Sequence, residues 1–319
     1  MMEWNNRFVP MVRTVMTRTR INSAPGVMLP QLDAPRRLIG GRTFDFDREV
    51  AVMAIVNRTP DSFYDQGATF ALDASVLAAQ KAIADGADWV DIGGAKFAPG
   101  PIVPIEEEID RVVPVVEALR GAGVVISVDT FHPAVAAASI AAGAHVINDT
   151  TGVHDPAMAD VVADSDATLV ITHSLAAPRM PYPAPQYDDV VGEISAFLLA
   201  RVDRALGRGM RADRIIIDPG HDLNKTTRHS LELTRRLGEI TGLGLPTLVA
   251  VSNKDFVGES LDRPRGERVD GSLAAMTVCI LQGARIVRMH NVRAAVDAVR
   301  MTEAILGLRQ PAYERHNLA

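Results

Sequence analysis

The sequence predicts a (β/α)8 barrel: one α/β domain with an N-terminal extension and a short N-terminal strand or hairpin. Three observations carry this expectation. Eight short apolar runs alternate with eight segments of helical spacing. The runs hold no alternating polar residue, so the strands are buried on both faces and the sheet is parallel. Several helix-to-strand junctions share one grammar, small residues and glycine followed by an apolar run, as in ADGADWVDI, RGAGVVISV, AAGAHVIN and LQGARIVRM. Eight such units close into a barrel of the TIM type; an open doubly wound sheet is the alternative.

At 319 residues and 47% hydrophobic content the chain can bury one large core or two small ones. A net charge of −6 argues against a nucleic-acid partner. The single cysteine, Cys279, lies in an apolar helical run and reads as an inert buried thiol. Without a disulfide framework the chain fits a reducing cytoplasm. No apolar run approaches the roughly 20 residues that span a bilayer, so no membrane association is expected.

Residues 1–41, rich in Arg, Pro and Met, read as a poorly ordered extension or an upstream mis-called start, ahead of a transit peptide, for which a clear amphipathic face is lacking. The barrel is expected over 42–308 and a tail over 309–319. Arg42–Asp47 alternates like a short strand and is placed as a plug at the barrel bottom. The first barrel strand lies in Ala51–Asn57, followed by a turn-rich loop carrying Pro60, Asp61, Ser62, Asp65 and Gly67.

Ala74–Gly86 is the first helix, closed by its glycine. ADWVDIGG is the second strand, and AKFAPG leads into a helix over Pro104–Gly121 with Glu106–Glu108 at its positive end. VVISVDT, His132–Gly143, HVINDT, a short helix around Pro156–Ala163 and ATLVITH follow. The Pro-rich loop AAPRMPYPAPQ has the length of an active-site cover. Then come helix Tyr187–Gly207, strand RIIIDP, helix Thr227–Gly242, strand PTLVAVSNK, helix Leu273–Gly283, strand ARIVRMH and helix Val292–Gly307.

Barrels of this kind place their chemistry at the carboxyl ends of the strands. Here those ends carry Asn57, Asp91, Asp129, Asn148, His173, Asp218, Ser252 with Lys254, and Arg288 with His290. Some are structural. Asp91 before two glycines reads as a loop cap, His173 as a satisfied core histidine, and Asp149 as a cap of its own turn. The rest divide into two poles. Asp129, Asn148, Asp218 and Lys254 suit a flat heterocycle with adjacent donors and acceptors, a buried ion-pair network being the alternative. Asn57, Arg288 and His290 suit an oxyanion or pyrophosphate, a solvated Arg–His pair being the alternative.

These residues stand in recognisable motifs. NRTPDSFYDQG is similar to NVTPDSFSDGG of the dihydropteroate synthase family; SVDT and IND occupy the same strand ends; DPGHDLNKT resembles DPGxGFxKT, SNKDFVG resembles SRKxxxG, and RMHNV resembles RVHDV. The resemblance covers about residues 42–308. It implies condensation of 6-hydroxymethyl-7,8-dihydropterin pyrophosphate with p-aminobenzoate, releasing pyrophosphate. By motif, Asp129, Asn148, Asp218 and Lys254 would hold the pterin. Asn57, Arg288 and His290 would hold the pyrophosphate, with Mg²⁺ at Asn57. Asp65 and Lys254 would be catalytic, Asp65 facing a pterin methylene cation. Ser252 would lie near the acceptor, and the family's homodimer would use late helices, including the apolar face of Leu273–Leu281.

The departures gather at the second-substrate end. The family's GGESTRPG becomes GGAKFAPG, with Ala95, Lys96, Phe97 and Ala98 in place of an acid, two hydroxyl residues and an arginine. Asn253 replaces the arginine of SRK, and Ala250 a glycine before it. Asp222 and Leu223 replace Gly and Phe, Thr172 a methionine, and Arg58 a valine. Lys96 and Arg58 bring new cations to the mouth and are expected to clamp an acceptor. The pattern resembles the family's divergent second bacterial paralogue, whose synthase activity is weak or lost. A catalytically silent pterin binder is therefore the second reading. A folate-dependent methyltransferase would not need Lys254, Arg288 or His290. A Schiff-base aldolase would not place Asp218 beside its lysine.

Overall fold

The computed structural model describes residues 29–57, 72–95, 97, 99–181 and 184–317, and the backbone of 19–20. β1 (Thr19–Arg20) pairs antiparallel with β2 (Leu29–Pro30), and β3 (Arg36–Ile39) forms an antiparallel hairpin with β4 (Arg42–Asp45). The barrel strands are β5 (Ala51–Asn57), β6 (Trp89–Gly93), β7 (Val125–Asp129), β8 (Val146–Asp149), β9 (Thr168–Thr172), β10 (Ile215–Asp218), β11 (Leu248–Val249) and β12 (Ile286–Met289). Each pairs in parallel with its neighbour in sequence, except that β12 pairs with β5 and a single parallel bridge, Ile217 to Thr247, closes the ring between β10 and β11. The expected closed parallel barrel is the observed one.

Helices follow the strands. They are α1 (Leu72–Ala84), α2 (Ile105–Ala118), α3 (Pro133–Ala142), α4 (Ala157–Ala163), α5 (Val190–Gly207), α6 (Thr227–Arg235), α7 (Leu237–Thr241), α8 (Asp255–Leu261), α9 (Val269–Leu281) and α10 (Val292–Ile305).

Alternate residues of each barrel strand serve two different cores. Val52, Ala54, Val90, Ile92, Ile126, Val128, Ile147, Leu169 and Val287 point outward and pack under the helices. Ala51, Met53, Trp89, Val125, Val146, Val170, Ile216, Leu248 and Ile286 point inward, and the N-terminal hairpin stops the bottom of the barrel on them with Ile39, Phe44 and Phe46. The Phe44 ring meets Trp89 edge-on, its centroid 5.7 Å away. Fully burying such a side chain stabilises by about 1.5–3 kcal/mol. An apolar strand interior is thus spent in the lower half, and the polar residues of the same inward rows come at the top.

Three local differences from the sequence reading have physical causes. The expected domain boundary at 42 cuts through the hairpin: β3 precedes it, and Leu32 and Ile39 are buried in the plug. The helix expected over Thr227–Gly242 breaks at Arg236, whose guanidinium binds Glu232, Glu239 and Asp189 and whose backbone leaves the helical region. Between β11 and α9 the chain inserts α8, whose seven residues are too few to show an amphipathic period.

Candidate active site

The upper interior of the barrel is polar on every side. Strand register sets Asn57 beside Gly93, Gly93 beside Asp129 and Asp129 beside Asn148, so these four stand in one row. A methyl group on Gly93 would come within 3.1 Å of the Asn57 amide oxygen and 3.9 Å of the Asp129 Cβ. Glycine here leaves open the space between the two.

One layer lower, Asp91 organises the ring. It is fully buried, and it accepts hydrogen bonds from Arg288 Nε (2.6 Å), Ser127 Oγ (2.6 Å) and Asn148 Nδ2 (3.2 Å). This corrects the reading of Asp91 as a loop cap: it is the anchor of the site. The signal was strand parity, since 89, 91 and 93 share the inward face. By taking the Asn148 amide nitrogen, Asp91 orients that side chain so that its oxygen is presented as an acceptor. Among the described residues this Oδ1 and the Thr172 hydroxyl are buried with no hydrogen-bond partner, the situation of polar atoms that complete their bonding with a ligand or water.

Arg288 crosses between the two expected poles. Besides Asp91 it binds Asp129 through Nη2 at 3.0 Å. Burial lowers the guanidinium's proton affinity, but the two carboxylates outweigh it and leave the group above its usual value. Burial pushes Asp129 up to about 7 against the pull of Arg288, and Asp218 up to about 6 against its hydrogen bond from Gly220 and the charge of Lys254.

Asp218 begins the DPG turn. Its Oδ1 accepts the Gly220 N–H at 2.7 Å, and Gly220 takes φ +67 so close to the His173 carbonyl that an added Cβ would lie 2.2 Å from it. Lys225, which sequence reasoning passed over, holds the turn from inside, with Nζ 2.9 Å from His173 Nδ1, 2.9 Å from Gly220 O and 3.0 Å from Leu223 O. Burial draws this lysine down to about 7, and burial with Lys225 nearby holds His173 near 2, neutral. His173 is the core histidine expected. Asp149 likewise caps its own turn, accepting from Thr151 N, Thr151 Oγ1 and Val153 N.

Lys254 lies between β11 and α8, as the residue before that helix. Its charge opposes the burial-driven rise of the Asp218 and Asp222 carboxyl groups. At the last strand end, His290 Nδ1 lies 3.0 Å from Ser252 Oγ, which also accepts the His290 backbone N–H at 3.2 Å. If the serine hydroxyl donates to Nδ1, the ring proton sits on Nε2, which is then a donor suited to an anion.

The rewritten loop after β6 docks on the Pro-rich loop after β9. Arg179, at φ +62, donates its N–H to Phe97 O (3.2 Å) and its Nε to Pro101 O (2.9 Å), and accepts the Gly100 N–H at 3.3 Å. Asp65, Lys96, Arg58 and Ala98 lie outside the described residues. Among the described residues no three His, Cys, Asp or Glu side chains could hold a metal ion together, and no helix is long and apolar enough to cross a membrane.

The carboxyl ends of the strands thus gather Asp91, Asp129, Asn148 and Arg288 into one bonded ring, with Ser252 and His290 paired at the last strand end. A family model described as pterin binding enzyme matches residues 53–290, and the chain belongs to that family, which includes the dihydropteroate synthases. It is 44% identical over 286 residues to inactive dihydropteroate synthase 2 of Mycobacterium tuberculosis H37Rv, covering 88% of this chain and 90% of that protein. To dihydropteroate synthase of Escherichia coli K12 it is 37% identical over 261 residues, covering 81% and 93%. Dihydropteroate synthase of Xanthomonas albilineans in complex with 7,8-dihydropteroate superposes with a TM-score of 0.75 at 37% identity, covering 85% of this chain and 98% of that one.

Proposed function

We propose that the chain binds 6-hydroxymethyl-7,8-dihydropterin pyrophosphate at its strand ends and condenses it with p-aminobenzoate weakly. The observation that carries the reading is the Asp91-centred ring: it orients Asn148, Asp129 and Arg288 together and leaves the Asn148 oxygen as a buried acceptor with no partner among the described residues. Asp129, Asn148 Oδ1 and Asp218 are acceptors matched to the amino and ring N–H donors of a pterin, and Lys254 is a donor for its carbonyl or ring nitrogen. Arg288, His290 and Asn57 would take the pyrophosphate.

The reaction breaks the C–O bond to pyrophosphate and forms a C–N bond to the arylamine, which gives up a proton. Its demands are stabilisation of the leaving anion and tolerance of positive charge beside the pterin, for which the Asp65 loop is the proposed counter-charge. Mg²⁺, if bound, would neutralise phosphate oxygens. An amide oxygen such as that of Asn57 fits an ion that arrives with its substrate's phosphates and keeps most of its waters, rather than one held in a protein cage.

Weak turnover follows from the acceptor end, where Ala98 and Asn253 stand in place of arginines. Losing a charged contact to a carboxylate costs on the order of a few kcal/mol, about a hundredfold in rate. Lys96 is the proposed partial replacement. The chain is further proposed to work in the cytoplasm as a homodimer through its late helices, where Val278, Leu281, Met301 and Ile305 are exposed.

The second reading, a silent pterin binder, is favoured by the inactive mycobacterial relative. A coupled pyrophosphate-release assay with pterin pyrophosphate and p-aminobenzoate separates the two. Acceptor-dependent release supports synthase chemistry. Tight pterin binding with no release above the acceptor-free blank supports the binder.

A further inference from the structure

α8 has an anomaly at its start. Its N-cap residue is Lys254, which makes no side-chain cap and has no acceptor atom with which to make one. The first N–H groups of a helix need acceptors, and N-cap positions favour Ser, Thr, Asp or Asn for that reason. Here the acceptor comes from another strand's loop. Asp222, after β10, accepts the N–H of Asp255 through Oδ2 at 2.5 Å and that of Phe256 through Oδ1 at 3.4 Å. Ser230 on α6 braces the same carboxylate, donating its hydroxyl to Oδ1 at 3.2 Å and accepting the Asp222 N–H at 3.2 Å.

Asp222 holds this position at φ +67, a left-handed conformation that a side chain disfavours and glycine does not. Burial raises its carboxyl above the usual range, and the Lys254 ammonium is the largest of the influences opposing that rise. Both strain and burial run against an aspartate unless its contacts offset them. On the other side of the same segment, Arg268 donates Nη1 to Asn253 O (3.2 Å), Lys254 O (3.1 Å) and Asp255 Oδ1 (2.8 Å). Lys254 therefore sits in a backbone gripped from both sides.

We propose that Asp222 is the positioning residue for Lys254: it caps α8 in place of the N-cap side chain, so that a lysine, rather than a capping residue, can stand at the start of α8 after β11. This proposal rests on the pterin-binding reading of the same site and adds to it a residue outside the pterin contacts.

The test is calorimetric titration of 6-hydroxymethyl-7,8-dihydropterin pyrophosphate into the full chain and its variants. Asp222→Ala is expected to weaken binding about tenfold, the cost of a lost cap carried to the lysine, and Asp222→Asn, which keeps an acceptor, to restore affinity to within about threefold. Asp222→Gly, which relieves the left-handed strain, should melt close to the parent yet show the same loss. Lys254→Ala should weaken binding, and the double variant Asp222→Ala/Lys254→Ala should bind no worse than Lys254→Ala alone. Parent-like affinity in Asp222→Ala and Asp222→Gly, or losses that add in the double variant, would overturn the proposal while leaving the pterin reading intact. Parent-like affinity in Lys254→Ala would overturn both.

Discussion

Arg288 on β12 reaches past β5 and β6 to Asp129 on β7, with Nη2 3.0 Å from Oδ2. The residue taken from the sequence as an anion ligand is therefore bonded to one taken as a pterin ligand. The two poles share a wire, and Asp91 fixes its near end at 2.6 Å. A ligand that donates to Asp129 competes with Arg288 for that carboxylate and leaves the guanidinium more available to an anion.

Removing the guanidinium should be costly to the fold as well as to binding. Arg288→Met strands the fully buried Asp91 beside Asp129. Breaking a buried pair by removing one partner destabilises by about 3–5 kcal/mol. Urea unfolding at pH 7.5 is the measurement; a loss below about 1 kcal/mol would contradict the pairing of Asp91 with Arg288.

The raised carboxyl groups give binding a pH dependence of known sign. On the proposed reading, Asp129, raised to about 7, and Asp218, raised to about 6, would accept pterin hydrogen bonds when ionised. Affinity should be highest above pH 7 and fall as pH drops through 7 and then 6, by up to about tenfold per unit for each group that must lose a proton. Stability runs the other way. A carboxyl whose folded value lies above its unfolded value contributes stability below about pH 4 that is lost as pH rises through the folded value. Asp218→Asn should accordingly be the more stable protein at pH 8, on the order of 1 kcal/mol, and bind the pterin less well. Thermal melts at pH 5 and pH 8 check the sign.

Arg179 ties the two mouth loops with backbone and side chain together. Arg179→Ala removes the bond to Pro101 O, worth about 0.5–1.5 kcal/mol. Hydrogen exchange should speed up in residues 97–104 and 177–181 and remain unchanged in β7 and β8. Equal rates in both proteins would show that the side chain does not hold the loops.

At the acceptor end, Lys96→Ala should weaken arylamine carboxylates by about tenfold while pterin affinity is unchanged, if the lysine clamps the acceptor. The converse variant, Ala98→Arg, should raise acceptor-dependent pyrophosphate release. Asn253→Arg should help less, because position 253 has φ +58, which Asn tolerates better than Arg. Unchanged acceptor affinity in Lys96→Ala would dispose of the clamp.

The fold was readable because apolar runs buried on two faces cannot be anything but interior parallel strands, and eight of them alternated with helical spacing. The strand-end residues were readable for a related reason: Asp129, Asn148 and Asp218 interrupt such runs where an unpaired polar group would be expensive. What escaped was set by tertiary partners. Asp91 looked like a loop cap because two glycines follow it, and only strand parity points it inward. Lys225 lies in a loop with no periodicity. Asp222 registered as a departure from a motif, with nothing in its neighbours to say that it caps a helix more than thirty residues further on, with Phe256 as a capped partner. The break at Arg236 depends on three carboxylates brought together by folding.

The most direct measurement is the dissociation constant for 6-hydroxymethyl-7,8-dihydropterin pyrophosphate of the parent chain and of Asp129→Asn at pH 8, determined by calorimetry without any acceptor. Specific one-to-one binding by the parent, weakened about tenfold or more in Asp129→Asn, is the expected result. A parent chain that takes up no pterin, or a variant that binds as tightly as the parent, would contradict the assignment of the strand-end ring as a pterin site.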